Sequence, residues 1–287
     1  MKVAASLAEY TAAARQVRSG ASAGRTDPPV ALVPTMGALH EGHRSLIRLA
    51  RARAERVVVS IFVNPLQFGA GEDFARYPRP LADDLAVCEA EGVDVVLAPQ
   101  ASDLYAADRQ VTVSAGALGQ VLEGATRPGH FDGVLTVVLK LFHIVNPALA
   151  VFGQKDAQQL ACIQRMVTDL NLDIEVLGAP IVRDEDGLAL SSRNVYLSPT
   201  ERILARNLSA ALEKAGTQSS VPAARAAAYE VLDRAGDDPA FGLDYATLVH
   251  PATFVEVADD HTGRAIFAVA ARVGQTRLID NATLTFG

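Results

Sequence analysis

The sequence predicts an open, mostly parallel α/β sheet flanked by helices, with a smaller α+β domain at its C-terminal end. Three observations carry that reading. Short β-branched apolar runs alternate with helical patterns through the first two-thirds of the chain, the rhythm of strand–helix–strand units. Those runs show little polar alternation, as in strands covered on both faces. Beyond about residue 181 the texture changes to two helices followed by strand-like runs, which divides the chain into expected domains of residues 1–181 and 182–287.

The N-terminal MKVAASLAEYTAAARQVRSG mixes polar and apolar residues like an amphipathic helix, and SGASAGRTDPP (19–29) reads as a surface loop. PVALVPT (29–35) is a strand, followed by a helix from Gly42 to Arg53. VVVSIFV (57–63) is a second strand, with a helix near 81–91 behind it. DVVLAP (94–99) and VTVSA (111–115) read as further strands, then a helix over 133–145, the strand LAVFG (149–153), a helix from Asp156 to Leu170 and the strand DIEVLGAP (173–180). This is a Rossmann-like order, in which ligands bind at the carboxyl ends of strands where the strand order reverses. In the second domain Ser198 and Pro199 have the chemistry of an N-cap and a first helical position. AGTQSSVPAA connects that helix to an Ala-rich one, and DYATLVHP, RAIFAVAARV and TRLIDN read as antiparallel strands.

Composition narrows the function classes. The 287 residues are 49% apolar and 21% charged, an ordinary globular balance. A net charge of -7 offers no broad attraction to nucleic acid or to anionic membranes, so neither is an expected partner, although a local basic pocket for a small anion stays open. The most apolar stretch, VLTVVLKLFHIV, is too short to span a bilayer and carries Lys140 and His143. No signal-peptide run opens the chain. Cys88 and Cys162 are far apart in sequence with no Cys-x-x-Cys spacing, which disfavours a disulfide framework or zinc site and fits a reducing cytoplasm.

Chemistry concentrates at predicted strand ends. In PTMGALHEGH (34–43), Gly37 permits a tight backbone course and Gly42 lets a helix begin close to a ligand. His40 and His43 stand three apart, on one side of a first helical turn. A helix N-terminus favours phosphate, and imidazoles there can donate to its oxygens. A pair of surface histidines or a metal site is the plainer alternative, and the position after an apolar strand with flanking glycines favours nucleotide binding. Asn64 and Gln67 of FVNPLQF follow the second strand and supply neutral donors and acceptors, or else satisfy loop backbone. Lys155 of FGQKD can reach phosphate oxygens or stay solvated. Ser191, Ser192 and Arg193 of SSRN make a compact anion grip or a capped turn. Asp83 and Asp84 open a helix, where acidic residues complement the helix dipole whatever else they do.

The His40-Glu41-Gly42-His43 segment resembles the His-x-Gly-His signature of a nucleotidyltransferase superfamily. PTMGALHEGH, FVNPLQF (62–68), YPR (77–79), RPGHF (127–131), FGQKD (152–156) and DGLALSSRN (186–194) resemble, in order and spacing, the motifs of pantothenate synthetases over nearly the whole chain. Two departures stand out: Gln154 where many relatives have Glu, and Ala157 where an aromatic is common, so the adjoining pocket can differ in shape. Leu190 stands where methionine is common.

The resemblance implies an ATP-dependent ligase that joins pantoate to β-alanine through a pantoyl adenylate, releasing AMP and diphosphate. It implies ATP contacts at Pro34, Met36, Gly37, His40, His43, Gly153, Lys155, Asp156, Val182, Ser191, Ser192 and Arg193, with His40, His43, Lys155 and the Ser191–Arg193 segment acting on the phosphates. Gln67, Gln159, Asn64 and Met36 are implied for pantoate. Arg127, His130 and Tyr77 are candidate pocket residues, and Asp83 is the carboxylate expected to help place Mg²⁺. The same resemblance implies a homodimer, to which VVVSIFV could contribute unless it is buried within the subunit, and a second domain that closes over the site. A relative adenylating a phosphate ester would need a basic pocket where this chain offers amides. A non-enzymatic nucleotide sensor would not need the acid-substrate motifs.

Overall fold

The computed structural model describes residues 1–18 and 29–287, so the loop expected over 19–29 lies outside the described residues except for Pro29. The chain divides into two compact units, residues 1–154 with 162–180, and residues 155–161 with 181–287.

The first unit is built on six parallel strands: β1 (Lys2–Ala4), β2 (Val30–Thr35), β3 (Arg56–Ile61), β4 (Val95–Leu97), β5 (Leu149–Gly153) and β6 (Glu175–Ala179). Their spatial order is β1-β4-β3-β2-β5-β6, so the order reverses between β2 and β5. Helices α1 (Leu7–Arg18), α2 (Glu41–Arg53), α3 (Leu81–Ala90) and α6 (His130–Val145) connect them, with single turns α4 (Ala101–Leu104) and α5 (Glu123–Thr126) between. Leu32, Val33, Val57, Val59 and Val96 are buried in the sheet, and Leu46, Ile47 and Ala50 of α2 pack against it. β3 lies between β2 and β4, so burial within the subunit accounts for the VVVSIFV run.

Two local expectations are corrected. Residues 2–4 form the edge strand β1 against β4, and the N-terminal helix begins only at Leu7. Residues 111–115 form no strand. Val111 is 82% exposed, so the alternation there reports no packed face. Two backbone donors of this stretch are met by side chains instead: Val113 N–H donates to Thr136 Oγ1 at 2.9 Å and Ala115 N–H to Asp132 Oδ1 at 2.7 Å.

The second unit contains the start of α7 (Ala157–Asp169), helices α8 (Pro199–Gly216) and α9 (Val221–Ala235), and an antiparallel sheet β7-β8-β9 (Phe241–Val249, Gly263–Val273, Thr276–Phe286). Ser198 caps α8 by accepting from Glu201 N–H, and the Glu201 carboxylate accepts from Ser198 N–H in return. Leu208, Leu212, Leu232, Leu248 and Phe267 make its core. A hairpin over 182–190, closed by Leu190 N–H to the Val182 carbonyl at 3.0 Å, leads into a 3₁₀ turn at Ser192–Tyr196.

Candidate active site

The loop after β2 is held by a carboxylate from beneath. Asp84, 2% exposed on the first turn of α3, accepts from Ala38 N–H at 2.9 Å and Leu39 N–H at 2.7 Å. This contact steadies an unusual backbone, because both Gly37 (φ 84) and Ala38 (φ 52) lie in the left-handed region. A Cβ at Gly37 would stand 2.8 Å from Asp84 Oδ2, so only glycine admits the carboxylate. Burial raises the pKa of the Asp84 carboxyl above its ordinary value, and the two backbone donors oppose that shift. Each carboxyl oxygen accepts from one N–H group, and those two bonds favour the charged form. Asp83, its neighbour, is exposed.

His40 and His43 follow as the cap and third residue of α2. His40 Nδ1 accepts from Gly42 N–H at 3.1 Å, and His43 Nδ1 accepts from His40 N–H at 3.2 Å. Both rings therefore use Nδ1 as acceptor, which puts the proton of each neutral imidazole on Nε2. The ring centroids are 4.1 Å apart, so the two Nε2–H donors belong to one cluster at a helix N-terminus. Pro34, near the end of β2, and Met36, in the loop after it, are half-buried.

The loop after β3 is a set of interlocked amides. Asn64, 1% exposed, caps the 3₁₀ turn Pro65–Gln67. Its Oδ1 accepts from Leu66 N–H at 3.3 Å and from the Tyr105 hydroxyl at 2.8 Å. Its Nδ2 donates to the Gly133 carbonyl and to Gln67 Oε1, each at 3.1 Å. Gln67 Nε2 lies 3.2 Å from Met36 Sδ. Gly133 is required on α6 because a Cβ there would stand 2.2 Å from the Leu66 carbonyl oxygen. Sequence reasoning missed Tyr105, Glu72 and Gly133; the signal available for the last was an isolated glycine in an otherwise apolar helical run.

The Gln67 backbone has its own support. His130 Nδ1 is 2.8 Å and Arg127 Nη2 is 3.2 Å from the Gln67 carbonyl. Arg127 also donates to both oxygens of Glu72, at 2.9 and 2.5 Å, and its Nη1 lies 3.1 Å from His130 Nε2. Burial, aided by the Arg127 charge, pushes His130 down to about 4, so the ring is neutral, donating from Nδ1 and accepting at Nε2. Burial raises Glu72, but the Arg127 hydrogen bond and charge outweigh it and hold that carboxyl below its ordinary value. Tyr77 is buried, its ring edge-on to Phe68.

The remaining sequence-expected residues lie around the end of β5 and in the second unit. Gly153 closes β5, and Gln154 Nε2 donates to the Gly178 carbonyl at 3.2 Å. Lys155, half-buried, has its carbonyl held by Asn281 Nδ2 of β9 at 2.8 Å. Asp156 is exposed and Gln159 half-buried on the first turn of α7. Arg183 donates to both oxygens of Asp280, at 2.6 and 3.0 Å, and to the Gly187 carbonyl at 3.1 Å, fixing the hairpin that carries Val182. Ser191 Oγ accepts from Arg193 N–H at 3.3 Å, and Asn194 Nδ2 donates to the Ala189 carbonyl at 3.1 Å, so Ser191, Ser192 and Arg193 share one ordered turn. Cys88 and Cys162 are both buried free thiols, which burial pushes up to about 12. Among the described residues no group of three or more His, Cys, Asp or Glu is arranged to hold a metal ion.

Comparison with known proteins points in one direction. The family described as pantoate-beta-alanine ligase matches residues 2–283. A pantothenate synthetase of Thermobifida fusca is 58% identical over 265 residues, covering 89% of this chain and 90% of that protein. One from Acidothermus cellulolyticus is 55% identical over 256 residues, covering 88% and 84%. A pantothenate synthetase crystal structure from Thermus thermophilus superposes with a TM-score of 0.88 at 45% identity, covering 98% of this chain and 99% of that one. A pantoate-β-alanine ligase from Francisella tularensis, complexed with β-γ ATP and β-alanine, gives 0.79 at 31% identity, covering 98% and 97%.

Proposed function

We propose that this chain, which belongs to the pantoate–β-alanine ligase family and so makes pantothenate from pantoate and β-alanine, runs that ATP-dependent reaction in two steps. The pantoate carboxylate attacks the α-phosphorus of ATP, forming pantoyl adenylate as diphosphate leaves. The amine of β-alanine then attacks the acyl carbon of the mixed anhydride, the new C–N bond forms and AMP departs. A carboxylate is already ionised at neutral pH, so the first step needs no general base, and catalysis rests on positioning and on stabilising charge at the phosphates.

The observation that carries this reading is the lock on His40 and His43. Backbone N–H groups occupy both Nδ1 atoms, so two Nε2–H donors stand at the positive end of α2. Such a set suits phosphate oxygens and has little to offer as a base. Lys155, Ser191, Ser192 and Arg193 supply further donors to the same phosphates in this proposal, and Pro34, Met36, Gly37, Gly153, Asp156 and Val182 complete the nucleotide contacts. Gln67 and Gln159 serve pantoate. A cation on that carboxylate would blunt its nucleophilicity, which is the chemical reason for amides.

Mg²⁺ enters the proposal as a companion of ATP. Asp84 has both oxygens committed to Ala38 and Leu39, so it is a poor ligand, whereas Asp83 is exposed on the same turn. Magnesium keeps most of its waters and needs few protein ligands, so the residues present fit an ion carried in by the nucleotide, with Asp83 holding it directly or through water. It would offset charge on the phosphates. A homodimer and a cytoplasmic location belong to the proposal too, the latter supported by the two buried free thiols.

Pantoate-dependent ATP–diphosphate exchange, followed by amide formation on adding β-alanine, tests the two-step reading. Exchange should require pantoate and no amine. Amide formation without any exchange would replace the adenylate with another activated species.

A further inference from the structure

The polar contacts around Gln67 run in one direction, and that direction decides what the acid substrate meets. Asn64 is enclosed, so its carboxamide takes its orientation from its neighbours. Leu66 N–H can only donate, and the Gly133 carbonyl can only accept. They lie against opposite ends of the same amide, at 3.3 and 3.1 Å, and together fix Oδ1 toward Leu66 and Nδ2 toward Gly133. The Tyr105 hydroxyl, 2.8 Å from Oδ1, must then be the donor. Burial raises the Tyr105 phenol above its ordinary range, so the proton it gives is always present. The second hydrogen of Asn64 Nδ2 points at the Gln67 amide, which is why Gln67 turns its oxygen inward.

We propose that Tyr105 and Asn64 are positioning residues that fix the polarity of Gln67, so that the acid substrate meets an N–H donor and never a carbonyl. The inference rests on Gln67 being a substrate ligand. Met36 Sδ, a weak acceptor, now occupies the Nε2–H side, and an oxygen of pantoate is a stronger one that would replace it. A reversed amide would set carbonyl oxygen against a substrate rich in oxygen lone pairs, exchanging attraction for repulsion. The backbone of Gln67 cannot swing to compensate, because Arg127 and His130 hold its carbonyl. Asn64 itself, with both ends of its amide engaged and almost no exposed surface, acts through Gln67 and does not touch substrate.

Steady-state kinetics and melting temperatures of the full chain test this with Tyr105→Phe, Gln67→Ala, Gln67→Glu and the double variant Tyr105→Phe/Gln67→Ala. Tyr105→Phe keeps the ring and removes only the donor, and should raise the pantoate KM by about fivefold while the ATP KM moves less than about twofold. In the Gln67→Ala background the same change should add nothing. Gln67→Glu, which can present only an acceptor, should bind pantoate more weakly than Gln67→Ala. A Tyr105→Phe effect that persists undiminished without Gln67, or pantoate binding by Gln67→Glu that matches or exceeds that of Gln67→Ala, overturns the proposal alone. An unchanged pantoate KM in Gln67→Ala removes the underlying reading of Gln67 as well.

Discussion

The loops that follow β2 and β3 leave neighbouring parallel strands, yet they are organised by opposite means. After β2 the working groups lock one another within four residues: Gly42 fixes His40, and His40 fixes His43. From farther off, Asp84 reaches in to hold the Ala38 and Leu39 N–H groups, and Gln67 Nε2 lies against Met36 Sδ. After β3 the decisive partners are distant, with Tyr105, Gly133, Arg127 and His130 converging on Asn64 and Gln67, and Glu72 holding Arg127. The difference matches the ligands proposed for each. A triphosphate accepts donors from many angles, so a helix start and two imidazoles suffice. A small hydroxy acid that must present one oxygen to phosphorus demands an amide of fixed polarity, and fixing it takes a braced network.

The sharpest way to break the comparison is to remove a ring from the first loop. His43→Ala should slow adenylate formation by on the order of 10²- to 10³-fold, the usual loss for one donor to developing charge. Attack of β-alanine on preformed adenylate should slow far less. Rapid-quench measurement of the two half-reactions reads both, and equal losses would deny His43 its role at the phosphates.

The same contrast explains what was legible in the sequence. PTMGALHEGH could be read as an anion site because its chemistry is contiguous, and the strands were legible because β2 and β3 are buried on both faces. Asn64 and Gln67 were visible as amides, but nothing local says that Asn64 is enclosed or that Gln67 turns its nitrogen outward; Tyr105 stands 41 residues from Asn64 and Gly133 stands 69. Residues 111–115 misled for a related reason. Their alternation is that of a strand, but a ladder needs a partner, and theirs are the Thr136 and Asp132 side chains.

The bracing of the second loop should show itself in pH dependence. His130 is pushed down to about 4, mainly by burial, with Arg127 adding to the shift and the Gln67 carbonyl, Glu72 and Glu123 opposing it. An imidazole in the unfolded chain titrates near 6.5. Between those values the unfolded state binds the proton and the native state does not, so stability falls as pH drops through this window and levels off below it. The contribution should amount to about 2 kcal/mol between pH 7 and pH 5. Urea denaturation of the parent and of His130→Asn at both pH values measures it; an identical pH response in the two proteins would mean that His130 is not held neutral.

Asp84 braces the backbone of the first loop from a distance, and it should matter least to stability because two effects oppose each other there. Asp84→Asn keeps one acceptor for the Ala38 and Leu39 N–H groups and turns an NH₂ toward the other, losing a charge-assisted hydrogen bond that ordinarily contributes about 1.5–3 kcal/mol. The same change removes a buried charge whose desolvation already raises its pKa. The net loss in thermal or chemical denaturation should be about 1 kcal/mol. Function should register it more clearly, since Ala38 sits in the left-handed region with that carboxylate beneath it, and its release moves the residues leading into His40. We expect the ATP KM of Asp84→Asn to rise several-fold with the pantoate KM nearly unchanged, the reverse of the Tyr105→Phe pattern. Matching shifts in both constants would mean that the two loops are not separately braced.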